Sequence, residues 1–490
     1  MYFKQRSDVI YRNYGSFGYI TDNRNFGYRT SDVNGNYIGD KVVSESGAVF
    51  LSALSRTPQT IENIIKKVRE IFSETNIETI KEDAIEFYSA LENEGFVVSG
   101  MTPQECNAKD VHFYYECNGS GGYEKKDVSQ KKEENTTELF FETYFDNVPQ
   151  LTNLHIEIIG KCNERCIHCY IPHEKKTDVM SPSVFYDILE QSRKMNILHL
   201  TISGGEPMAH EHFVDFIRKC NEYNFSVSVL SNLTLLNQKI IEEMKRNPLL
   251  SVQTSLYSMD ENVHDSITQR KGSFEKTKKA ILQLIENNIP IQISCPIMKQ
   301  NMYCYKKVIE WGQLNNISVN SDYVILARYD HSINNLNCRL SISDVQEVIE
   351  GEVNSNPAYL LGIEKEYNKK IGMQSDDFVC SVCHSSVCIS EQGNVYPCAG
   401  WQDYILGNVS HERIYDIWHQ SDKVKYLRNL RRRDFTQCTQ CSQKEFCTMC
   451  MVRNANENPK GNPLEVNPYF CEVARINKKI YFREKDKKYV

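Results

Sequence analysis

No stretch of this 490-residue chain approaches the ~18 consecutive apolar residues needed to cross a bilayer. The first residues, MYFKQRSDVIYRNY, lack the basic segment and apolar core of a secretory signal. Positive charge is not in excess: a net charge of −7 argues against a chain-wide nucleic-acid footprint. The one short basic run, Arg431, Arg432 and Arg433, reads as a solvated helix end. No internal repeat of solenoid type is visible. These absences point to a cytoplasmic protein with no membrane and no nucleic acid among its partners.

Cysteine is what the chain has in quantity, 18 residues of it. In a reducing compartment so many thiols are not a disulfide framework, and metal or redox chemistry becomes the leading explanation. The length allows two to four domains, each able to bury a core.

Residues 1–100 read as strands followed by helices. Segments 8–21 and 26–30 alternate loosely, and 37–43 follows an Asn34-Gly35 turn signal, as in a hairpin. Ile61, Ile64, Ile65, Val68 and Phe72 then recur at helical spacing, as do Ile80, Ala84, Phe87, Tyr88 and Leu91. Residues 101–148 lose periodicity and include a glycine-rich patch and a charged run, the composition of a flexible linker. Cys106 and Cys117 fall there and read as incidental. From 154 to 326, strand patterns at 154–159, 197–203, 225–231, 250–257, 289–297 and 317–326 alternate with helical ones. Six β/α units imply a parallel sheet with helices outside, with catalytic residues just after the C-terminal ends of the strands.

The first of these strands runs into Cys162, Cys166 and Cys169, separated by three and then two residues. Three thiolates in so short a loop can hold three irons of a cubane and leave the fourth open. A structural zinc site is the alternative, with His168 or His173 as fourth ligand. One β/α unit later comes Ser203-Gly204-Gly205-Glu206-Pro207, where Gly-Gly lets a ligand approach the backbone closely.

The triplet and the glycine-rich strand end together resemble the radical S-adenosylmethionine (SAM) superfamily, over roughly residues 149–335. The resemblance implies an α/β fold with a partial (β/α)6 TIM-type barrel. It implies that Cys162, Cys166 and Cys169 hold a 4Fe-4S cluster whose open iron binds SAM. His168 takes the place of the ring that lies against adenine. Gly204, Gly205 and Glu206 meet the methionine amino end, and Ser231 and Asn232 reach the ribose. Ser255 is the carboxylate contact, with Arg270 as the matching cation.

The C-terminal third carries the rest. Cys380 and Cys383 precede Cys398; Cys438, Cys441, Cys447 and Cys450 are separated by two, five and two residues; and Cys471 follows. Eight cysteines suffice for two further cubanes or for zinc sites. Paired with the triplet, residues 375–475 resemble the SPASM extension, which carries two auxiliary 4Fe-4S clusters. The interleaved arrangement of that family assigns Cys380, Cys383, Cys398 and Cys450 to one and Cys438, Cys441, Cys447 and Cys471 to the other. The spacing after Cys447 is one residue short of the family's, and Cys388 competes with Cys380, so the first auxiliary cluster may be expected with four ligands or with an open iron. Residues 1–100 resemble a PqqD-like, winged-helix-like α+β domain that binds the leader of a precursor peptide by strand addition at 37–43.

The function expected from these resemblances is maturation of a ribosomally made precursor peptide. An external one-electron reductant, flavodoxin or ferredoxin, would drive it, with a thioether as the first-choice product and a carbon–carbon crosslink second. A peptide epimerase and a sulfatase-type maturase are the alternatives within the superfamily. Ala399 stands where the latter carries an acidic residue. From another class, a multicluster electron carrier would have no use for the Gly204–Gly205 pocket.

Overall fold

The structure, a computed structural model, describes residues 1–24, 38–110, 144–145 and 148–487. The N-terminal domain holds two small antiparallel sheets. Strand β1 (Tyr2–Gln5) lies between β5 (Gln59–Thr60) and β6 (Val97–Gly100), while β2 (Ile10–Asn13), β3 (Phe17–Thr21) and β4 (Asp40–Ser44) form a meander. Thr60 caps the helix Ile61–Arg69 by accepting from the Asn63 N–H, and Asn76 caps Ile77–Asn93. The periodic residues Ile61, Ile64, Ile65, Val68, Ile80, Ala84, Tyr88 and Leu91 are buried together. Each buried aliphatic there is worth roughly 1.5–3 kcal/mol.

Two expectations for this region change. Segment 8–21 is a hairpin of two strands rather than one run, while segment 26–30, the Asn34-Gly35 turn and Tyr37 lie outside the described residues. The first ten residues assigned to the linker are folded: Thr102 caps the helix Pro103–Lys109, Cys106 is fully buried, and Asp110 pairs with Lys4. Apart from 144, 145 and 148, the rest of the expected linker, Cys117 included, lies outside the described residues.

The barrel strands are β7 (Asn153–Ile159), β8 (His199–Gly204), β9 (Ser226–Leu230), β10 (Ser251–Ser255), β11 (Ile291–Ser294) and β12 (Ser318–Asn320), parallel and adjacent in chain order. Alternation along them sorts the faces. Leu154, Ile156, Ile158, Leu200, Ile202 and Val229 are buried in the main core with Phe185 and Phe216 of the outer helices. The opposite face carries His155, Glu157, Ser203, Ser228, Gln253 and Ser255, so the lumen is polar. The sixth strand is shorter than its sequence pattern.

Beyond β7 the same sheet continues into the cysteine-rich region: β13 (Ser386–Ile389) runs parallel to β7, followed by β14 (Asn394–Tyr396) and β15 (Gly407–Asn408). Cys388 is in register with both His155 and Tyr396, which places all three on the lumenal face. Two helices that the sequence left unassigned, Ile342–Ser355 and Pro357–Ile371, connect the barrel to this region, and a last helix, Pro468–Lys487, packs back on them. Among the described residues no helix is long and apolar enough to cross a membrane.

Candidate active site

The cysteine loop leaves β7 at Gly160 and is held by its neighbours' main chains. Gly205 N–H donates to Ile159 O at 2.7 Å and Glu206 N–H to Lys161 O at 2.9 Å. A Cβ on Gly204 would stand 2.1 Å from Ile159 O, and one on Gly205 2.3 Å from Gly160 O. Gly204 also has φ +138°. Both glycines are therefore required by the approach of the loop itself. The other side of the loop is fixed by Arg165 N–H to Thr268 O and Ile167 N–H to Ile267 O, each 3.0 Å.

Glu206 is fully buried, and its carboxyl accepts from Ser231 Oγ at 2.7 Å, Asn232 N–H at 2.8 Å and Met208 N–H at 3.0 Å. Burial pushes it up to about 7 against these hydrogen bonds. This acid ties the end of β8 to the end of β9. Ser231 also accepts from Leu233 N–H. Asn232 Nδ2 donates to Asn163 Oδ1 at 2.9 Å and lies 3.9 Å from Cys162 Sγ.

The three thiols form one group: burial first, then Glu164, Cys169 and Cys162 alongside, pushes Cys166 well up. Burial likewise raises Cys162 to about 11. Four residues around the group had no sequence signal. Lys176 hydrogen-bonds Cys169; Glu164 lies 3.7 Å from Cys166 Sγ and is held by Ser273; Asn163 bridges to Asn232 and Thr234; and Tyr257 Oη pairs with His168 Nε2 at 2.8 Å. Asn163, Glu164 and Lys176 belong to the connection after β7 and Tyr257 to the end of β10, and the folding of that connection is what no local pattern reveals. His168, fully enclosed, is pushed down to about 4 by burial, so the ring is neutral. Ser255 ends β10 next to Tyr257. Arg270 is exposed just past the helix Glu261–Thr268, turned to solvent rather than into the thiol group.

The cysteines from Cys380 onward fall into two groups. Cys380 senses Cys450 and Cys398, and Cys383 senses Cys380. Cys438 senses Cys447, Cys471 and Cys441. Cys388 is fully buried near Cys398 and Cys383, whereas Cys380 is exposed. Among the described residues no three Cys, His, Asp or Glu side chains converge tightly enough for a single ion. Eight thiols in two groups are the donor type and number that two cubanes take. The triplet fits a 4Fe-4S cluster in donor chemistry also, since the ammonium of Lys176 and the amide of Asn232 lie beside the thiolates.

A partial barrel with a cysteine triplet at the C-terminal end of its first strand, and two more cysteine groups in the region that follows the barrel, points to iron–sulfur chemistry. Residues 156–311 match the radical SAM superfamily, and residues 380–443 match SPASM, an iron–sulfur cluster-binding domain. The chain is 23% identical over 329 residues to the antilisterial bacteriocin subtilosin biosynthesis protein AlbA of Bacillus subtilis, covering 63% of this chain and 69% of that protein. It is 23% identical over 352 residues to an AdoMet-dependent heme synthase of Methanosarcina barkeri, covering 66% and 96%. Streptococcus suis SuiB, solved bound to precursor peptide SuiA, shares the fold over 94% of this chain and 98% of its own, with a TM-score of 0.57 at 14% identity. The chain carries a radical SAM domain and a C-terminal SPASM domain and is an enzyme whose cofactors are 4Fe-4S clusters and SAM.

Proposed function

We propose that this enzyme matures a ribosomally made precursor peptide, installing a thioether crosslink, with a carbon–carbon crosslink as the second product class. The observation that carries the reading is the likeness to SuiB over 94% of the chain, since that protein was solved with a precursor peptide. The relation to a bacteriocin biosynthesis protein supports it.

SAM, when bound and reduced, supplies a 5′-deoxyadenosyl radical. The chain's own residues do the rest. Cys162, Cys166 and Cys169 hold the SAM-binding cluster; Cys380, Cys383, Cys398 and Cys450 hold one auxiliary cluster and Cys438, Cys441, Cys447 and Cys471 the other. His168, Gly204, Gly205, Ser231, Asn232 and Ser255 line the SAM site, with Glu206 holding its floor from behind. Lys176 replaces Arg270 as the cation nearest that site. The exposure of Cys380 supports the thioether, because a ligand at the surface can give way to a substrate thiolate. A flavodoxin or ferredoxin delivers the electron.

The leader of the peptide adds to β4. Among the described residues β4 pairs only with β3. Asp22 N–H donates to Gly39 O at 2.8 Å, so by antiparallel alternation Lys41 and Val43 face β3. Asp40, Val42 and Ser44 then turn their main chains outward.

The test is mass spectrometry of short peptides encoded beside this gene after incubation with the reconstituted, reduced enzyme and SAM. A loss of two hydrogens per modification is expected. An unchanged mass with a D-residue in the product would replace crosslinking with epimerisation.

A further inference from the structure

The chain that continues the sixth barrel strand leaves the sheet's hydrogen bonding half used. Cys295 N–H donates to Asn320 O at 2.8 Å and Ile297 N–H to Asp322 O at 2.6 Å. Asn320 and Asp322 therefore face β11, and the intervening main chain of Ser321 and of Tyr323 faces away from it. Among the described residues no hydrogen bond engages the N–H or C=O of either Ser321 or Tyr323. Alternate residues thus offer unpaired donors and acceptors on one side, the pattern of an open strand edge.

That edge lines a cavity of about 1280 Å³. The far wall is the Cys447–Cys450 stretch, which contributes one cysteine from each C-terminal group, and the helices Ile342–Ser355 and Pro357–Ile371 close the sides. Small-molecule sites run to about 300–1,000 Å³, so this one is sized for something longer. Its parts are held in place. The Tyr323 hydroxyl bonds with Asn477 and Tyr359, and Arg453 stacks over Phe470 at 4.2 Å while donating to Thr448 O.

We propose that Ser321 and Tyr323 are a docking edge for an extended segment of the peptide substrate, which adds as a seventh strand and lies between the barrel and the auxiliary cysteines. This rests on the peptide-maturase reading and names where the core segment is held. Main-chain pairing would leave side-chain choice to the walls, so successive core residues could use one edge.

The experiment uses the full-length, cluster-loaded enzyme with SAM and a fluorescein-labelled pool of ten-residue peptides of mixed sequence. A second pool carries N-methyl groups on alternate amides. The first pool should slow hydrogen exchange at the Ser321 and Tyr323 amides, and the methylated pool should bind about tenfold more weakly, the cost of one or two hydrogen bonds. Ser321→Pro removes an outward N–H without touching the β11 ladder and should weaken the first pool about three- to tenfold. Equal affinity of the two pools for the wild-type enzyme, or binding without protection of those two amides, overturns the docking edge while leaving peptide maturation standing. Failure of both pools to bind, together with no modification of any encoded peptide, overturns the maturase reading and this inference with it.

Discussion

The two ends of the chain are joined to the barrel by different physics. The C-terminal region is part of the barrel's own sheet, with β13 in register against β7 from Asn153 to Ile156 and a common apolar core behind both. The N-terminal domain is docked on the opposite, N-terminal ends of the strands chiefly by polar contacts around one small apolar cluster of Ile10, Tyr19 and Leu198. The Arg12 guanidinium donates to Ile197 O and Asn224 O, and Asn23 Oδ1 accepts from Ser226 Oγ and pairs with His199 Nε2, each 3.0 Å away. A continuous sheet ties Cys388 and the start of the cysteine-rich region to the strand that leads into the cysteine loop. A docked domain can be removed without opening the barrel core. It also sits at the end away from the catalytic loop, so a leader on β4 and a core residue in the lumen are separated by the barrel's length.

The largest expected effect is from truncation. Ending the chain at residue 374 strips β7 of its neighbour and exposes shared core, and soluble, cooperatively melting protein should be lost. Removing residues 1–110 should leave a folded barrel that still cleaves SAM while losing precursor affinity; differential scanning calorimetry and a leader-binding assay check both. Next is Arg12→Ala, which leaves buried carbonyls unpaired and should loosen docking by about 3 kcal/mol. It would be read as faster proteolysis of the β2–β3 hairpin with little change in barrel melting. Asn23→Ala should cost about 2 kcal/mol, combining lost hydrogen bonds with the loss of asparagine's tolerance of the left-handed region at φ 70°.

The smallest effect concerns the C-terminal join. Glu157 on β7 is buried and accepts from the Tyr396 hydroxyl and from Gln402 Nε2 at 2.8 Å, and burial pushes it up to about 8. A carboxyl raised above its unfolded value of about 4.5 contributes stability that is full below 4.5 and lost as pH rises through about 8. Melting temperature should therefore fall across that window, and Glu157→Gln should flatten the fall. An unchanged slope in the variant would assign the pH dependence elsewhere.

The catalytic loop was legible because its chemistry is local: three cysteines and a Gly-Gly pair are fixed by spacing along the chain. The strands were legible through alternation, but β12 was overread at 317–326 because its extended continuation past Asn320 has no partner on one side. What the sequence hid is non-local. Tyr257 comes from the end of β10 and Lys176 folds back from seven residues past Cys169, while the pairing of β13 with β7 joins residues more than 230 positions apart. Glu206 was legible as a strand-end carboxylate, but its burial and its three hydrogen bonds from Ser231, Asn232 and Met208 were not, because Ser231 and Asn232 come from the next strand's end. Arg270 came from the resemblance as the cation matching Ser255, and its exposed place just past Thr268 is set by the end of a helix that the sequence did not locate. Cys106 sits in sequence resembling a linker yet fills a core, because one helical turn capped by Thr102 is too short for periodicity to reveal.

The central claim is that Cys162, Cys166 and Cys169 hold the cluster that cleaves SAM. Anaerobically reconstituted full-length protein, reduced with dithionite, should release 5′-deoxyadenosine from SAM, and the triple variant Cys162→Ala, Cys166→Ala, Cys169→Ala should release none while keeping about two-thirds of the iron. A triple variant that still forms 5′-deoxyadenosine, or a wild-type protein that takes up zinc and no iron, would contradict the account.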